Sequence, residues 1–365
     1  MKILHLISGG ETGGSKNHLL SLLSHLKSED ILLGVFQEGK LAQEARELGI
    51  PLVFFNQKSR YDLSILSRIK KVIKDEGITI VHTHGPRANL FAYMVRKMIP
   101  FKWVTTIHSN PEQDFIKGGI KGRVFTAINM NVIRKIDHFF AVSERFKSMI
   151  TGFGIPAGKI TTIYNGISFD KELKNNLTRG DLGLSEEEFA VIMVARLHPI
   201  KGHTVVFDAF QSLLKKRPDT TLLLIGDGPI REELEKEAAR KGIAEKVRFL
   251  GFHDDVHSYL SLSDVKLLAS YSESFPLVIL EAARAHVPVI STDVGGVKDL
   301  ISDPSLGWIV PVKDASAIES AILAAAEEKD QRKLSKMGEK LYEKASALYS
   351  VKQLADQTLE TYKKI

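Results

Sequence analysis

The chain has 365 residues, 44% of them hydrophobic and 26% charged, with a net charge of +6 at neutral pH and no cysteine. That length exceeds one ordinary core and fits two domains. The composition excludes a disordered or fibrous chain, and the missing cysteine excludes disulfides, thiolate metal sites and cysteine nucleophiles. The missing cysteine and a start, Met1-Lys2-Ile3-Leu4-His5, that runs straight into a strand make the expected compartment cytoplasmic, and no apolar run approaches the roughly 20 residues that cross a bilayer, so any membrane contact is expected to be peripheral.

Short apolar strands alternate with amphipathic helices up to about Val310, the pattern of an α/β fold with parallel sheets. The first lobe is predicted to carry strands at Ile3 to Ile7, Ile31 to Phe36, Leu52 to Phe54, Ile78 to His82, Lys102 to Ile107, His138 to Val142 and Ile160 to Ile163. After the first strand, Ser8-Gly9-Gly10-Glu11-Thr12-Gly13-Gly14-Ser15 leads into a helix, where a glycine-rich backbone can approach a phosphate. The dinucleotide fingerprint needs glycine where Ser8 stands, so a nicotinamide enzyme ranks last among the alternatives. His82, His84 and His108 lie near strand ends. They lack carboxylates or thiolates at metal spacing, and no metal site is expected.

Between Pro86 and Ile150 there are 11 Lys and Arg against 4 Asp and Glu, a net of +7, so the basic character of the chain belongs to this region. Within 115–135, Phe115, Ile116, Ile120, Val124, Phe125, Ile128, Val132 and Ile133 interleave with Lys117, Lys121, Arg123, Arg134 and Lys135. An anionic membrane surface would suit this stretch; so would a core-facing helix with a solvated basic face. No recognition motif or stacking platform points to nucleic acid. The first lobe ends at Tyr164-Asn165-Gly166, and the polar, lysine-rich run that follows, with Lys171, Glu172 and Lys174, reads as a linker.

The second lobe is predicted to have strands at Phe189 to Val194, Thr221 to Ile225, Val247 to Leu250, Val265 to Ala269, Val287 to Ser291 and Gly307 to Val310. Arg196 and Lys201 follow its first strand, with Lys201 expected to open the next helix; a guanidinium fork and a mobile ammonium suit a diphosphate. The turns at Gly226-Asp227-Gly228 and Gly251 could wall a base, or serve only as sharp bends. The most informative stretch is Ser272-Glu273-Ser274-Phe275-Pro276-Leu277, running on to Glu281. It leaves a buried strand, turns, and opens a helix with Pro276 expected as the first helical residue, so its free N–H groups face an anion while two carboxylates eight positions apart face sugar hydroxyls. There is no Asp-X-Asp, so the paired-carboxylate metal clamp is missing and Arg196 and Lys201 would take that charge. The last residues, 348–365, read as a helix returning to the first lobe, giving lobes of 1–166 and 167–347.

Together these segments resemble the retaining glycosyltransferases of family 4, over nearly the whole chain. The carriers are the Glu-X7-Glu pair Glu273 and Glu281, Arg196 and Lys201 before it, and Asp293-Val294-Gly295-Gly296-Val297 after it. The resemblance implies a GT-B fold: two doubly wound Rossmann-like lobes facing a central cleft that closes on the donor. It implies a nucleotide-sugar donor, UDP-linked by preference, with the diphosphate on Arg196, Lys201 and the N–H groups of Ser274, Phe275 and Leu277. Glu281 would hold the ribose and Glu273 the sugar. The glycine loop matches at Gly13 and Gly14, and His108 matches the active-site histidine. Ser274 departs from the glycine many members carry there, which leaves the orientation of the donor sugar open. No cofactor is implied. The implied acceptor is a hydroxyl, lipid-linked or of an envelope polysaccharide, presented at the inner face of the cytoplasmic membrane. The alternatives are a sugar-nucleotide 2-epimerase of the same fold and a non-catalytic sugar- or membrane-binding module.

Overall fold

Unbroken apolar strands such as Ile3–Ile7 and Thr220–Ile225, buried along their whole length, belong in sheets covered on both faces. The computed structural model, which describes residues 1–11, 14–26, 30–59, 62–115, 118–170, 173 and 175–365, has two such sheets, and every pairing is parallel. Thr12, Gly13, Ile116, Lys117, Lys171, Glu172 and Lys174 lie outside the described residues. The chain divides into two compact units, Met1–Gly166 with Val351–Ile365, and Ile167–Ser350.

The first unit runs β1 (Ile3–Ile7), α1 (Gly14–His25), β2 (Ile31–Val35), α2 (Lys40–Glu47), β3 (Leu52–Phe54), α3 (Ile65–Asp75), β4 (Ile80–His84), α4 (Pro86–Arg96), β5 (Lys102–Ile107), α5 (Gly119–Ile133), β6 (His138–Ala141), α6 (Glu144–Gly152) and β7 (Ile160–Thr162). Its strand order is β3-β2-β1-β4-β5-β6-β7. The second runs β8 (Phe189–Val194), α7 (His203–Lys216), β9 (Thr220–Ile225), α8 (Arg231–Arg240), β10 (Val247–Gly251), α9 (His257–Ser261), β11 (Val265–Leu268), α10 (Leu277–Arg284), β12 (Val289–Thr292), α11 (Val297–Leu300), β13 (Gly307–Val310), α12 (Ala315–Asp330) and α13 (Leu334–Leu348). Its order is β10-β9-β8-β11-β12-β13. The last helix, α14 (Val351–Lys364), returns to the first unit, where Leu354, Ala355 and Tyr362 join a core with Ile3, Ile7, Ile80 and Val104. Among the described residues no helix is long and apolar enough to cross a membrane.

Besides one-residue differences at other strand ends, four local expectations shift, each for a backbone reason. The β4 strand starts at Ile80 and not Ile78, because Gly77 N–H and Ile78 N–H bond back to Lys74 O and Ile73 O and close α3 first. The β12 strand starts at Val289 because Val287 N–H closes α10 on Ala282 O and Pro288 has no N–H to give. Pro276 is the residue before the helix, with an extended ψ of 109°, and Leu277 is its first residue. Lys201 ends a single 3-10 turn, and α7 begins at His203 after left-handed Gly202.

Leu354, 2% exposed, fixes α14 to the first unit. Leu354→Ala is expected to destabilise by about 2–5 kcal/mol, while Lys363→Ala on the exposed side of the same helix leaves the urea midpoint unchanged.

Candidate active site

In an open parallel sheet, ligands bind beyond the carboxyl ends of the strands where the order reverses. The reversals fall between β1 and β4 in one unit and between β8 and β11 in the other. The loops leaving those strands carry the sequence candidates.

In the second unit four loops interlock. Tyr271 N–H donates to Ile200 O (2.8 Å), Leu197 N–H to Asp227 O (3.0 Å), Gly226 N–H to Gly251 O (2.7 Å) and Gly296 N–H to Ser274 O (3.1 Å). Two glycines permit the approach. A Cβ on Gly202 (φ +75°) would lie 2.1 Å from Ala269 O, and one on Gly295 (φ +52°) 2.3 Å from Ser274 O. The result is an ion pair the spacing did not announce: Lys201 Nζ stands 2.5 Å from Glu273 Oε1, which also accepts from Ser270 Oγ at 2.7 Å. The side chains expected to hold diphosphate and sugar hold each other here. Arg196 is exposed and has no side-chain partner among the described residues. Phe275 is buried and stacks on Tyr349, with ring centroids 5.4 Å apart, so its contribution at the turn is its backbone. Leu277 starts the helix half-buried. Four residues on, Glu281 has its carboxyl pushed up by burial, against the opposing charges of Arg284 and Lys266.

Lys266 was missed by the sequence reading. It is fully buried on β11, and its Nζ donates to Leu267 O at 2.7 Å. Burial pushes its ammonium down to about 7, opposed by Glu281. His203 nearby falls to about 4 for the same reason, with the Lys266 charge adding to it. The signal was available: a lysine inside Val265-Lys266-Leu267-Leu268 breaks an apolar strand.

In the first unit His108 follows β5 and lines a cavity of about 200 Å3 with Glu11, Ser15, Asp114 and Asn129. Its Nε2 lies 3.4 Å from His84 Nδ1. Burial, and then the neighbouring His18, push its ring well below the ordinary histidine range, so it is neutral. A wider groove of about 680 Å3 adjoins it, walled by Phe91, Phe115, Phe125 and Ile128 and sharing Glu11, Asp114 and Asn129. The glycine loop differs from expectation. Ser8 N–H and Gly9 N–H donate to the Glu11 carboxylate at 3.2 and 2.7 Å, so a side chain of the loop already occupies the amides that would meet a phosphate. Gly14 is exposed at the start of α1; Gly13 lies outside the described residues. The imidazoles that cluster most tightly are His5, His82 and His84, with ligand atoms within 4.8 Å. Both His82 nitrogens are hydrogen-bonded, to Tyr362 and to Thr106 Oγ1, so the group is a saturated polar core.

The sequence matches the profile described as Glycosyl transferases group 1 over residues 175–344 and that of Glycosyltransferase Family 4 over 12–171. It is 30% identical over 313 residues to N-acetyl-alpha-D-glucosaminyl L-malate synthase of Bacillus anthracis, covering 81% of this chain and 77% of that one. The chain belongs to glycosyltransferase family 4. The transferase is also 24% identical to the Escherichia coli UDP-Gal:alpha-D-GlcNAc-diphosphoundecaprenol alpha-1,3-galactosyltransferase, over 79% of this chain and 77% of that one. Its fold matches the crystal structure of Anabaena HepE in complex with UDP at a TM-score of 0.87, with 22% identity and full coverage of both chains. It also matches WaaG, a glycosyltransferase involved in lipopolysaccharide biosynthesis, at 0.71 with 15% identity, over 98% of each chain. The architecture is therefore GT-B, with a Rossmann-like parallel sheet in each unit.

Lys266 makes stability depend on pH in a defined direction. Its folded value of about 7 lies below the ordinary 10.5, so between those values the unfolded chain binds the proton more tightly and wild-type stability rises with pH. Lys266→Met is expected to stabilise the transferase at neutral pH, with the advantage shrinking toward pH 10 in urea melts at fixed ionic strength.

Proposed function

We propose that the transferase moves a sugar from a UDP-sugar to a hydroxyl acceptor with retention of configuration and without a metal ion. The observation that carries the reading is the Lys201 to Glu273 pair at the β8/β11 reversal, with the exposed Arg196 on the same loop as Lys201. Breaking the anomeric bond puts negative charge on the leaving diphosphate, and preorganised donors aimed there lower the barrier. Arg196, Lys201 and the N–H groups of Ser274, Phe275 and Leu277 are those donors. When the diphosphate takes Lys201, the Glu273 carboxylate is released to the sugar hydroxyls, and Glu281 takes the ribose. Gly226 and Gly251 form the turns beside the base. HepE structures with UDP and with UDP-glucose support the choice of uridine.

Of the two carboxylates lining the His108 cavity, Glu11 accepts from Ser8 N–H and Gly9 N–H, and Asp114 is exposed and accepts from Ser109 Oγ. Neither is assigned to nucleophilic attack in the mechanism proposed: attack comes from the face of departure, the leaving phosphate taking the acceptor's proton. A neutral His108 then positions a sugar or acceptor oxygen and is not the principal base.

The acceptor proposed is lipid-linked, met at the inner face of the cytoplasmic membrane. Ile120, Val124, Phe125 and Ile128 on α5 are 81, 53, 41 and 40% exposed beside Lys121 and Arg123, an apolar and basic face of the kind that seats on anionic lipid. Of the two readings of this stretch, that exposure favours the membrane. The galactosyltransferase relative, whose acceptor is a diphosphoundecaprenol, supports the same class.

In calorimetry with chelator present, UDP is expected to bind and GDP and ADP to bind more weakly, with Arg196→Ala and Glu281→Ala each losing at least tenfold in affinity. Binding of none of the three would remove the nucleotide-sugar reading. His108→Ala is expected to keep UDP affinity and to lower transfer about 10²-fold, read by product formation. In co-sedimentation, Ile120→Ser with Val124→Ser is expected to lose binding to vesicles containing phosphatidylglycerol; unchanged binding would overturn the membrane reading.

A further inference from the structure

The face of the first sheet covered by α14 carries a row of polar groups that the mechanism above leaves unused. His5 on β1 is the register partner of His82 on β4, and His84 follows two residues on, on the same face. All three are 0–3% exposed. Tyr362 reaches them from α14, and Thr106 from β5.

Their hydrogen bonds form one unbranched chain. Thr106 Oγ1 pairs with His82 Nε2 at 2.7 Å, and His82 Nδ1 pairs with Tyr362 Oη. Tyr362 Oη pairs with His5 Nε2 at 3.3 Å, His5 Nδ1 with His84 Nε2 at 3.0 Å, and His84 Nδ1 with His108 Nε2 at 3.4 Å. The chain ends at His108, whose ring lines the cavity.

With every link made, hydrogen counting restricts such a chain to three states. Burial holds the four imidazoles neutral, with His5 down at about 3 and the others well below the ordinary range, and it keeps the Tyr362 phenol protonated. A neutral imidazole has one N–H and one bare nitrogen, so each ring passes on the direction it receives, and only the Tyr362 hydroxyl can accept from both sides. All links donate toward His108, or all donate toward Thr106, or both halves of the chain donate to Tyr362 Oη. In the second state Thr106 Oγ1 accepts from His82, in the third Tyr362 Oη accepts from His82 and from His5, and in each the accepting hydroxyl's own hydrogen is left in a buried site with no acceptor among the described residues. In the first state Thr106 O–H donates to His82 Nε2, and every hydrogen up to the last imidazole has an acceptor. A buried polar group left without its partner costs its desolvation, so the first state, in which none is left, is favoured.

We propose that the chain from Thr106 through His82, Tyr362, His5 and His84 is a tautomer lock that makes His108 accept at Nε2 and present Nδ1–H as a donor to an oxygen of the sugar or the acceptor. His84 and Tyr362 are thus positioning residues that act through His108, and the terminal helix takes part in the site without reaching the cavity. The catalytic meaning of the lock rests on the role proposed for His108; the lock itself does not.

The test is long-range 1H–15N correlation on protein labelled with 15N-histidine, with the His108 signals assigned by their loss in His108→Ala. Wild type is expected to show His108 protonated at Nδ1 and bare at Nε2. Thr106→Val removes the hydroxyl that sets the direction, and Tyr362→Phe cuts the chain in the middle. Each is expected to move His108 toward Nε2–H and to lower the transfer kcat at least tenfold with donor KM unchanged. Melting curves and spectral dispersion check that both variants are folded. His108 found as Nε2–H in wild type, a His108 tautomer unmoved by both folded variants, or stoichiometric zinc on the purified protein released by His84→Gln would overturn the lock. Full turnover by His108→Ala with the tautomer pattern as expected would leave the lock standing and overturn the role proposed for His108.

Discussion

The arrangement on which the rest depends is the contact between Lys201 and Glu273. It joins the loop after β8 to the turn after β11, the two strands that flank the order reversal of the second sheet. A lysine and a glutamate 72 positions apart meet at 2.5 Å because Tyr271 N–H is pinned to Ile200 O and Gly202 brings the chain against Ala269 O. Partly buried and with Ser270 also donating to the carboxylate, the pair is better supported than a surface ion pair. On the function proposed above, it stores the two charges that diphosphate and sugar require and keeps them compensated until a donor replaces the contact.

Much of this was legible from residue types and spacing. The alternation of apolar runs with helical periods gave both sheets to within two residues at most strand ends, and a parallel sheet gathers all its carboxyl-end loops on one edge. Once Arg196, Lys201, Gly226, Gly251 and Glu273 are read as post-strand residues, their sharing of that edge follows. Where boundaries slipped, at Ile80 and Val289, hydrogen bonds closing the preceding helix decided the outcome, and such caps depend on geometry that composition does not reveal.

What sequence could not supply were the partners. Glu11 looks like a loop carboxylate, yet it folds back onto Ser8 N–H and Gly9 N–H and makes the glycine loop satisfy itself. His5 carries no motif at all and becomes visible only when register sets it beside His82. Tyr362 stands 280 residues from His82, and their bond exists only because α14 returns to the first unit. Lys266 is the opposite case: a charge in an apolar strand was readable, but that it lies close enough to Glu281 and Glu273 to feel their charge was not.

The central claim is that Glu273 restrains Lys201 until the donor arrives and then serves the sugar and not the diphosphate. Glu273→Gln isolates it, measured by UDP titration calorimetry beside transfer of sugar from a UDP-sugar on the same preparation. The account requires UDP affinity equal to or above that of wild type, since Lys201 is released, with transfer reduced by at least about 10²-fold. A large loss of UDP affinity with transfer retained at saturating donor would contradict it.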